Sequence, residues 1–334
     1  MEFICRNVND AFSQIITRIT ALDLIDSTEL VLTNSRNGGV IRFRDPVRVT
    51  YTKPWERVLF HPGRMANPFF HLYESLWMLS GRFDVKSVAY FVNRMREFSD
   101  DGETFYGAYG RRWRSWFKYD QIEEIIGELI RNPDSRRCVL QMWDGRTDLN
   151  QTIEGGKDVP CNLSSCFDIV DGHLNMTVFN RSNDIVWGAL GANAVHFSFL
   201  QEYIARALNV KIGKYHQISN NFHVYTWNYH PELWTQHFTD ERYDYPESIP
   251  LFETNQEREF DRELEIFLDN PEAIVEQPFL RDVAAPMVLA YRHYKEKDWV
   301  KANEALMRVT ALDWRLGGAV WLDVKEKAYN AKTS

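Results

Sequence analysis

The sequence predicts a fold of the α/β (α+β) class, because segments with the hydrophobic spacing of helices are interleaved with segments patterned as strands. Its 334 residues can form one large domain or two modest ones. Hydrophobic residues make up 44% and aromatic residues 14% of the chain, which is ample core material for either arrangement. No internal repeat or low-complexity linker divides the chain. Near residue 250 the pattern changes to charged amphipathic helices, so we place a soft boundary there.

The first half of the chain supplies both kinds of element. Helices are predicted where apolar residues recur at i, i+3, i+4 and i+7, and strands where apolar and β-branched residues follow turn-forming residues. The elements predicted in order are a helix over residues 8–20, a loop over 33–39, a strand over 40–51, a buried helix over 69–79 and, after a turn at 132–135, a strand over 136–143.

The second half begins with the clearest local signal. Asp171-Gly172 separates the strand patterns of residues 167–170 and 173–179, and Asp-Gly suits a type I′ turn, so we predict a β-hairpin. A long helix follows over residues 194–208, with its apolar side chains inward. The tail predicts amphipathic helices over residues 256–268, 279–294 and 299–312.

Charge and composition exclude several function classes. The net charge of -8 leaves no basic surface for a nucleic acid, so any bound phosphate must belong to a small ligand held by local arginines. The four cysteines lack the spacing of a zinc site and, in a chain this large, indicate a reducing compartment. The N-terminus lacks a signal-peptide pattern, and no run of about 18 apolar residues is present to span a membrane. We therefore expect a cytoplasmic protein that binds neither nucleic acid, membrane nor metal.

Cys161, in the run Val-Pro-Cys-Asn, is the candidate nucleophile. Most cysteines are buried and inert. This one follows a proline at a predicted strand start and precedes Arg181-Ser182-Asn183-Asp184 on the neighbouring strand. A guanidinium beside a thiol stabilises the thiolate and lowers the pKa of the thiol. We expect Arg181 to act on Cys161 in this way across the hairpin.

Four arginines form a candidate phosphate-binding cluster. A planar guanidinium matches the geometry of phosphate oxygens, and Ser182 would add a hydroxyl donor. Each arginine alone is more typical of a solvated surface charge. Arg136 and Arg137 are neighbours on a predicted strand, so their side chains should face opposite ways unless one reaches a partner subunit. The four are Arg36, Arg136, Arg137 and Arg181.

Three more polar residues are candidates for the site. Glu74 lies in an apolar helix, where a buried carboxyl is suited to proton shuttling; the alternative is a helix-end outlier without a role. His223 and Tyr225 lie two positions apart on a predicted strand, so both side chains project from one face and could bind a sugar hydroxyl. A single His-x-Tyr pair is a weak signal by itself.

These candidate residues occur together, and in this order, in one protein family. The chain resembles the thymidylate synthases. The resemblance implies a three-layer α/β fold that dimerises through its sheet. It also implies that residues 1–250 are the catalytic domain and residues 251–334 a helical extension packed on the core. The shared segments cover over half the chain and include Ser35-Arg36-Asn37-Gly38, Glu74 to Gly81, Tyr109 to Arg114, Asp134-Ser135-Arg136-Arg137, Pro160-Cys161, Arg181 to Asp184, Gly188, Asn193 and His223-Val224-Tyr225.

The resemblance implies a reaction between a pyrimidine nucleoside monophosphate and 5,10-methylenetetrahydrofolate. Cys161 would add to C6 of the base, which makes C5 a carbon nucleophile toward the folate methylene. Glu74, with ordered water, would move protons at O4 or N4, and Tyr109 would belong to the network that removes the C5 proton. The remaining implied contacts are Arg36, Arg181 and Ser182 with the phosphate, Arg136 and Arg137 with the phosphate site of the other subunit of a homodimer, His223 and Tyr225 with the 3′-hydroxyl, and Asp184 and Asn67 with the folate.

Departures from the synthases bear on the product. Phe98 and Met95 stand where synthases carry two tryptophans. Loss of the indole that shields the exocyclic methylene favours attack by water, which gives a 5-hydroxymethyl product and intact tetrahydrofolate. The short apolar ending that closes over the ligands in synthases is replaced by the helical tail. Asn162 follows the cysteine where synthases have histidine, and Asn67 replaces a histidine that helps bind folate.

Asn193 bears on the choice of base. A neutral amide can donate and accept, which matches N3–H and O4 of uracil, whereas an aspartate would suit cytosine. One matched polar contact discriminates by roughly 1–3 kcal/mol, so we expect dUMP rather than dCMP. One residue more than in the synthases separates Gly188 from Asn193.

We therefore expect a folate-dependent dUMP hydroxymethylase, of the kind that supplies modified bases for bacteriophage DNA or precursors of antibiotics. In a phage the protein would act in the host cytoplasm. The rivals are a thymidylate synthase that converts dUMP to dTMP, a dCMP or CMP hydroxymethylase, and a non-catalytic nucleotide-binding relative. A Cys-His hydrolase is remote, because it needs a base near Cys161 that Asn162 does not provide.

Overall fold

Two mixed β-sheets organise the chain in the computed structural model, which describes residues 1–22, 27–235, 245–246 and 248–333. The strands of the larger sheet are β1 (Glu2–Cys5), β4 (Val47–Tyr51), β5 (Val139–Gln141), β6 (Asn162–Val170), β7 (His173–Asn180) and β9 (Lys211–Ser219). Their order across the sheet is β1-β4-β9-β7-β6-β5. β6 and β7 are antiparallel, whereas β7 and β9 are parallel. The predicted α/β (α+β) class is confirmed.

A second, smaller sheet has four strands. Its strands are β2 (Leu30–Ser35), β3 (Gly38–Phe43), β8 (Asn183–Asp184) and β10 (Phe222–Tyr225), in the order β2-β3-β10-β8. Two of the passages between the sheets, from β7 to β8 and from β9 to β10, lie side by side. Backbone hydrogen bonds join the two crossings, Asn183 to Asn221 at 2.8 Å and Asn220 to Asn180 at 2.9 Å. The crossings therefore bring the residues after β7 beside those on β10.

Two buried helices stack on the larger sheet. α7 (Asn193–Ala207) packs against β7 and β9, and α2 (Pro68–Leu79) packs against α7. Every residue of α2 is buried, as expected of a core helix. The Asn67 side chain caps α2 by accepting a hydrogen bond from the Phe70 amide at 3.1 Å. The other α-helices up to residue 234 are α1 (Val8–Ala21), α3 (Val85–Ala89), α4 (Tyr109–Arg114), α5 (Gln121–Arg131), α6 (Asp148–Ile153) and α8 (Pro231–Trp234).

The tail adds an outer layer of helices over α2 and α7. These helices are α9 (Glu257–Asp269), α10 (Ala285–Glu296), α11 (Trp299–Leu306) and α12 (Leu312–Thr333). The ring of Phe69 on α2 contacts Tyr291 at 5.6 Å and Trp321 at 5.5 Å between centroids. Phe199 on α7 contacts Phe279 and Trp314 of the tail. No helix in the described part of the chain is long and apolar enough to cross a lipid bilayer.

Several predicted elements are confirmed. The β6–β7 hairpin turns at Asp171 and Gly172, whose φ angles of 51° and 72° are both positive, as a type I′ turn requires. The helices predicted over residues 8–20, 69–79 and 194–208 correspond to α1, α2 and α7.

The predicted loop over residues 33–39 is instead a hairpin between β2 and β3, with its turn at residues 36–37.

Three boundaries were wrong. The strand predicted over residues 40–51 is two strands, because the chain moves from the smaller sheet to the larger one between β3 and β4. The strand predicted over 136–143 shrinks to β5, so Arg136 and Arg137 precede it and strand alternation does not set their directions. The last predicted helix ends at Leu306, and α12 was not predicted.

The glycines of α12 explain why it was missed. Gly317 and Gly318 weaken its intrinsic helix preference, since each costs about 1 kcal/mol relative to alanine. Packing outweighs that cost. A Cβ on Gly318 would lie 2.6 Å from Leu306 Cδ1 and 3.3 Å from Phe69 Cζ, so the glycine permits α12 to approach α2 closely.

A buried ion pair holds α4 to the segment that follows β5. Both Arg112 and Asp148 are fully buried, and their two hydrogen bonds, from Nη1 to Oδ2 and from Nη2 to Oδ1, are each 2.9 Å long. Asp148 also accepts hydrogen bonds from the Tyr106 hydroxyl and the Asp144 amide, each at 2.8 Å. Both oxygens of the Asp148 carboxylate therefore accept hydrogen bonds, which is the condition for a buried ion pair to be tolerated.

We predict that Asp148→Ala lowers the free energy of unfolding by about 3–5 kcal/mol, because it leaves the Arg112 charge buried and unpaired. Urea unfolding followed by circular dichroism measures the change. The matched control is Asp323→Ala, which removes the exposed partner of Lys327 and should cost less than about 1 kcal/mol. Equal losses for the two variants would contradict the prediction.

Candidate active site

One cavity of about 670 Å³ opens where the two sheets meet. It is bounded by the hairpin tip between β2 and β3, by α2, by the start of α4, by the segment before β6 and by β10. Most of the residues predicted for the site line it. They are Arg36, Glu74, Tyr109, Cys161, Arg181, Ser182, Asn193, His223 and Tyr225.

Strand pairing brings the predicted nucleophile beside its arginine. Cys161 immediately precedes β6 and Arg181 immediately follows β7, so the antiparallel pairing of these strands makes them neighbours. The Arg181 amide donates to the Cys161 carbonyl at 2.9 Å. Asn162, the residue after the cysteine, is buried, and its side chain donates to the Phe179 carbonyl at 3.0 Å. Asn162 therefore anchors the first residue of β6.

Two arginines converge on one backbone segment, residues 156–160, which we call the thiol loop. Arg181 donates from Nε to the Pro160 carbonyl and from Nη2 to the Val159 carbonyl, each at 2.9 Å. Arg36 donates to the carbonyls of Gly156 at 2.9 Å and residue 157 at 3.0 Å. Each guanidinium is held by neutral acceptors and keeps donors for an anion. The loop thus orients both cations at the mouth of the cavity.

Burial sets the state of the Cys161 thiol. Desolvation raises its pKa above the ordinary value, while Arg181 and Arg36 lower it and Asp158 raises it further. The predicted direction of the Arg181 effect is confirmed, and desolvation outweighs it. Burial also raises the pKa of Tyr109.

Asp158 is a site residue that the sequence did not reveal. It lies in the thiol loop, lines the cavity and accepts a hydrogen bond from the Gly107 amide at 2.8 Å. Burial raises its pKa to about 6. Its carboxylate opposes the two arginines in acting on Cys161.

A chain of amides orients Asn193. Its Nδ2 donates to Asn183 Oδ1 at 3.0 Å, and Asn183 Nδ2 donates to Gln217 Oε1 at 2.8 Å. Gly188 makes room for the first bond, since a Cβ there would lie 2.6 Å from Asn183 Oδ1 and 3.2 Å from Asn193 Nδ2. The side-chain oxygen of Asn193, Oδ1, therefore takes no part in this chain of hydrogen bonds.

The extra residue before Asn193 is taken up by a wide helical turn. Residues Ile185–Ala192 form a π-helical segment, interrupted at Leu190 and Gly191 by non-helical dihedral angles. Such turns accommodate one residue more than an α-helix and occur often at functional sites. Asn193 begins α7 and lines the cavity despite the insertion.

His223 and Asp184 lie opposite each other in the parallel pairing of β10 and β8. Burial lowers the pKa of His223 and raises that of Asp184, and the attraction between their charged forms works against both shifts. Asp184 also caps the π-helical segment by accepting from the Trp187 amide at 2.5 Å. Tyr225, two residues after His223, accepts from the Asn37 side chain at 3.5 Å.

His196 is the other residue that the sequence reasoning missed. Its Nε2 lies 2.9 Å from Glu74 Oε2, and both residues are buried and line the cavity. A signal was present, since His196 follows Asn193 by three positions on one helix and therefore shares its face. The partner on α2 could not be read from that spacing.

A protein-family model covers most of the segments described above. The family model described as Thymidylate synthase matches residues 68–267. The chain belongs to the thymidylate synthase family. The resemblance inferred from the motifs is confirmed.

Two relatives of this thymidylate synthase family member are phage proteins. A deoxyuridylate hydroxymethyltransferase of Pseudomonas phage M6 is 45% identical over 344 residues, covering 98% of this chain and 95% of that protein. A deoxyuridylate hydroxymethyltransferase of Bacillus phage SP01 is 39% identical over 195 residues, covering 55% of this chain and 50% of that protein. The crystal structure of thymidylate synthase from T4 phage aligns with a TM-score of 0.49 at 19% identity, over 64% of this chain and 76% of that one.

Some predicted residues lie away from the main cavity of this family member. Arg136 and Arg137 are exposed before β5, and neither is among the residues that line it. Asn67 caps α2 and likewise does not line the cavity. Asp184 lines a neighbouring cavity of about 620 Å³, which shares Arg36 and other residues with the first.

The neighbouring cavity has an aromatic wall that the sequence reasoning did not identify. Trp187 and Trp227 meet edge to face at 6.1 Å between ring centroids, and Tyr225 stacks on Trp227 at 5.4 Å. The Arg94 guanidinium lies over Trp227 at 4.9 Å and over Trp187 at 5.3 Å. Such a wall offers flat apolar faces with a cation at the rim.

We predict opposite shifts in thiol reactivity from two substitutions around Cys161. Asp158→Asn removes a negative charge and should lower the pKa of the thiol, whereas Arg36→Met removes a positive charge and should raise it. The pH dependence of alkylation by iodoacetamide, between pH 7 and pH 10 where Asp158 is ionised, measures both. Asp323→Asn, on the exposed surface, is the control. Shifts of the same sign in the two variants would refute this account.

Proposed function

We propose that the protein catalyses folate-dependent 5-hydroxymethylation of dUMP. The observation that carries the proposal is one cavity in which the Cys161 thiol and the oriented Asn193 amide face the same space. The 45% identity with a phage deoxyuridylate hydroxymethyltransferase over nearly the full chain supports the same activity. Cys161 adds through its sulfur to C6 of the uracil, which makes C5 nucleophilic toward a one-carbon donor.

The amide chain favours uracil over cytosine. Because Asn193 Nδ2 donates to Asn183, its Oδ1 remains an acceptor for N3–H of uracil, and the second Nδ2 hydrogen remains a donor for O4. Neutral cytosine has no hydrogen on N3, so it leaves this acceptor unmatched. Asn183 is held in turn by Gln217 and by Ser219 at 3.2 Å, which resists an amide flip.

Arginines at the mouth of the cavity bind the nucleotide phosphate. Arg36 and Arg181 are held by the thiol loop with donors to spare, and Ser182 adds a hydroxyl. His223 and Tyr225 bind the 3′-hydroxyl of the sugar. Arg136 and Arg137, which are exposed, complete the phosphate site of the other subunit in a homodimer.

The residues present fit a folate beside the nucleotide. Members of this family use methylenetetrahydrofolate, which supplies a one-carbon unit. Asp184 would hold the pterin, and the faces of Trp187 and Trp227 would support its aromatic rings. Arg94 and Lys157 line the same cavity and would meet the carboxylates of the glutamate portion. Asn67, which caps α2, would bear on the folate only indirectly.

The lining of the main cavity supports a hydroxymethyl product. Met95 and Phe98, in place of the two synthase tryptophans, border the space. Neither side chain is an indole that shields the exocyclic methylene, so water can attack it. Glu74 and Tyr109, on the opposite elements α2 and α4, are the groups that move protons during the reaction.

Residues 251–334 form the helical extension in this proposal, packed on a catalytic domain of residues 1–250. Its aromatic contacts with Phe69 and Phe199 support α2 and α7, which carry Glu74 and Asn193. The phage origin of the relatives supports action in the host cytoplasm.

We predict that dUMP, with methylenetetrahydrofolate, gains the mass of CH₂O and that tetrahydrofolate is released. Mass spectrometry measures the product. Cys161→Ser should abolish turnover and the covalent adduct with 5-fluoro-dUMP, because an alcohol is a poor nucleophile at neutral pH. Cys166→Ser, on the strand β6 that follows Cys161 but outside the cavity, should retain both. A methyl product with formation of dihydrofolate would instead establish a thymidylate synthase.

We predict that Asn193→Asp raises the ratio of kcat/KM for dCMP to kcat/KM for dUMP by roughly tenfold to a hundredfold. The reason is that a polar contact matched to uracil is replaced by one matched to cytosine. Steady-state kinetics with both nucleotides measures the ratio. Asn193→Ala is the matched control, since it should weaken both substrates without reversing their order. Loss of dUMP turnover by Asn193→Asp with no gain for dCMP would contradict the role of this amide.

A further inference from the structure

A buried acid–base pair forms the inner wall of the main cavity. His196 on α7 and Glu74 on α2 are only 2% and 5% exposed, and His196 Nε2 lies 2.9 Å from Glu74 Oε2. Their helices pack directly on each other. Both residues line the cavity that Cys161 also lines. The pair therefore faces the reacting base while it is shielded from bulk solvent.

Helix geometry aligns His196 with the residue that reads the base. Asn193 and His196 are three positions apart in the first turns of α7, so they project from the same face. Both line the cavity. His196 therefore extends the polar wall from the uracil edge toward Glu74.

Three buried polar atoms of the pair have unused hydrogen-bonding capacity among the described residues. Neither ring nitrogen of His196, nor Glu74 Oε2, makes an aligned hydrogen bond with any described residue, although Nε2 and Oε2 are close enough. Buried polar atoms are nearly always bonded, so unbonded ones are a sign of a functional group.

His71 lies near both Arg64 and His196. His71, one turn before Glu74 on α2, has its pKa held well below the usual value by burial and by the nearby Arg64 and His196, so it is neutral. Burial lowers the pKa of Arg64 to about 10, so its guanidinium stays cationic. Arg64 is fixed by a 2.8 Å bond to the Val186 carbonyl. The other titratable and charged groups that line the cavity are Arg36, Tyr109, Lys157, Asp158, Cys161, Arg181, His223 and Tyr225.

We propose that His196 is a positioning residue whose Nε2–H holds one oxygen of Glu74, so that the other oxygen takes the proton from the attacking water. The inference rests on the proposed function and assigns it a further residue. A neutral imidazole with its proton on Nε2 donates to Oε2 and fixes the carboxylate rotamer. The second carboxylate oxygen then has a single direction, toward the cavity.

The step balances in atoms and charge. The water oxygen bonds to the exocyclic carbon on C5, the π electrons of that double bond move toward C4 and O4, and one water proton passes to Glu74. Return of the electrons re-forms the C5–C6 double bond and breaks the bond from C6 to Sγ of Cys161, which leaves as thiolate. Glu74 then returns the proton to the thiolate.

The test compares three variants of the full-length protein with dUMP and methylenetetrahydrofolate. His196→Leu, which removes the donor at similar volume, should lower kcat at least tenfold, a part of the roughly 10²–10⁴-fold that a general acid–base group contributes. KM for dUMP should change less than about twofold, because binding does not use the pair. His196→Gln, which keeps a neutral N–H donor, should restore most of the loss. Ser198→Ala, buried on the same helix, is the control.

The covalent adduct with 5-fluoro-dUMP separates this inference from the proposed function. Adduct formation requires Cys161 addition but not water attack, so His196→Leu should retain it. Unchanged kcat in His196→Leu, or a His196→Gln variant as impaired as His196→Leu, would overturn the positioning role. If His196→Leu does not fold, as judged by thermal melting, the His196→Gln result decides between a donor and a ring requirement. Wild-type protein that makes no hydroxymethyl product would overturn the proposed function itself.

Discussion

The active site depends on the hydrogen bonds between the thiol loop and two arginines. Carbonyls of residues 156, 157, 159 and 160 accept from Arg36 and Arg181, which come from opposite sides of the cavity. Arg36 sits on an exposed hairpin tip, where a free side chain would lose much entropy on binding an anion. The loop removes that freedom in advance, which is the physical basis of preorganisation. The same loop leads into Cys161, so one segment supports both arginines and the predicted nucleophile.

That shared support creates a balance of charge at the thiol. Burial and Asp158 raise the pKa of Cys161, whereas Arg181 and Arg36 lower it, and burial prevails. The net effect restrains thiolate formation, because a thiolate buried without a partner is costly. Asp158, with its pKa of about 6, is ionised near neutral pH and contributes to that restraint.

The second support is the stack of α7 on the larger sheet, α2 on α7, and the tail on both. Glu74, Asn193 and His196 all project from these two helices, and a buried pair such as Glu74 and His196 keeps its geometry only in a rigid setting. Gly318 contributes to that rigidity from the tail by permitting α12 to approach Phe69. Among the described residues lining the two cavities none lies beyond Trp227, so the tail acts on the site through the helices that it covers.

The sequence by itself determined the fold class and the family, and most of the residues that it predicted for the site line the main cavity. Each of these features is encoded in a short segment whose chemistry needs particular residue types, such as Pro-Cys for the predicted nucleophile, Arg-Ser-x-Asp beside it and Asp-Gly for the hairpin. It could not supply the Glu74–His196 pair, the Asn183–Asn193 bond or the wall of Trp187 and Trp227, since these contacts join segments distant in the chain. It predicted that Arg181 lowers the pKa of Cys161, but not the sign of the net shift, which is upward. Only the tertiary structure decided that sign, because desolvation arises from how many segments pack around the sulfur, and no local pattern records it.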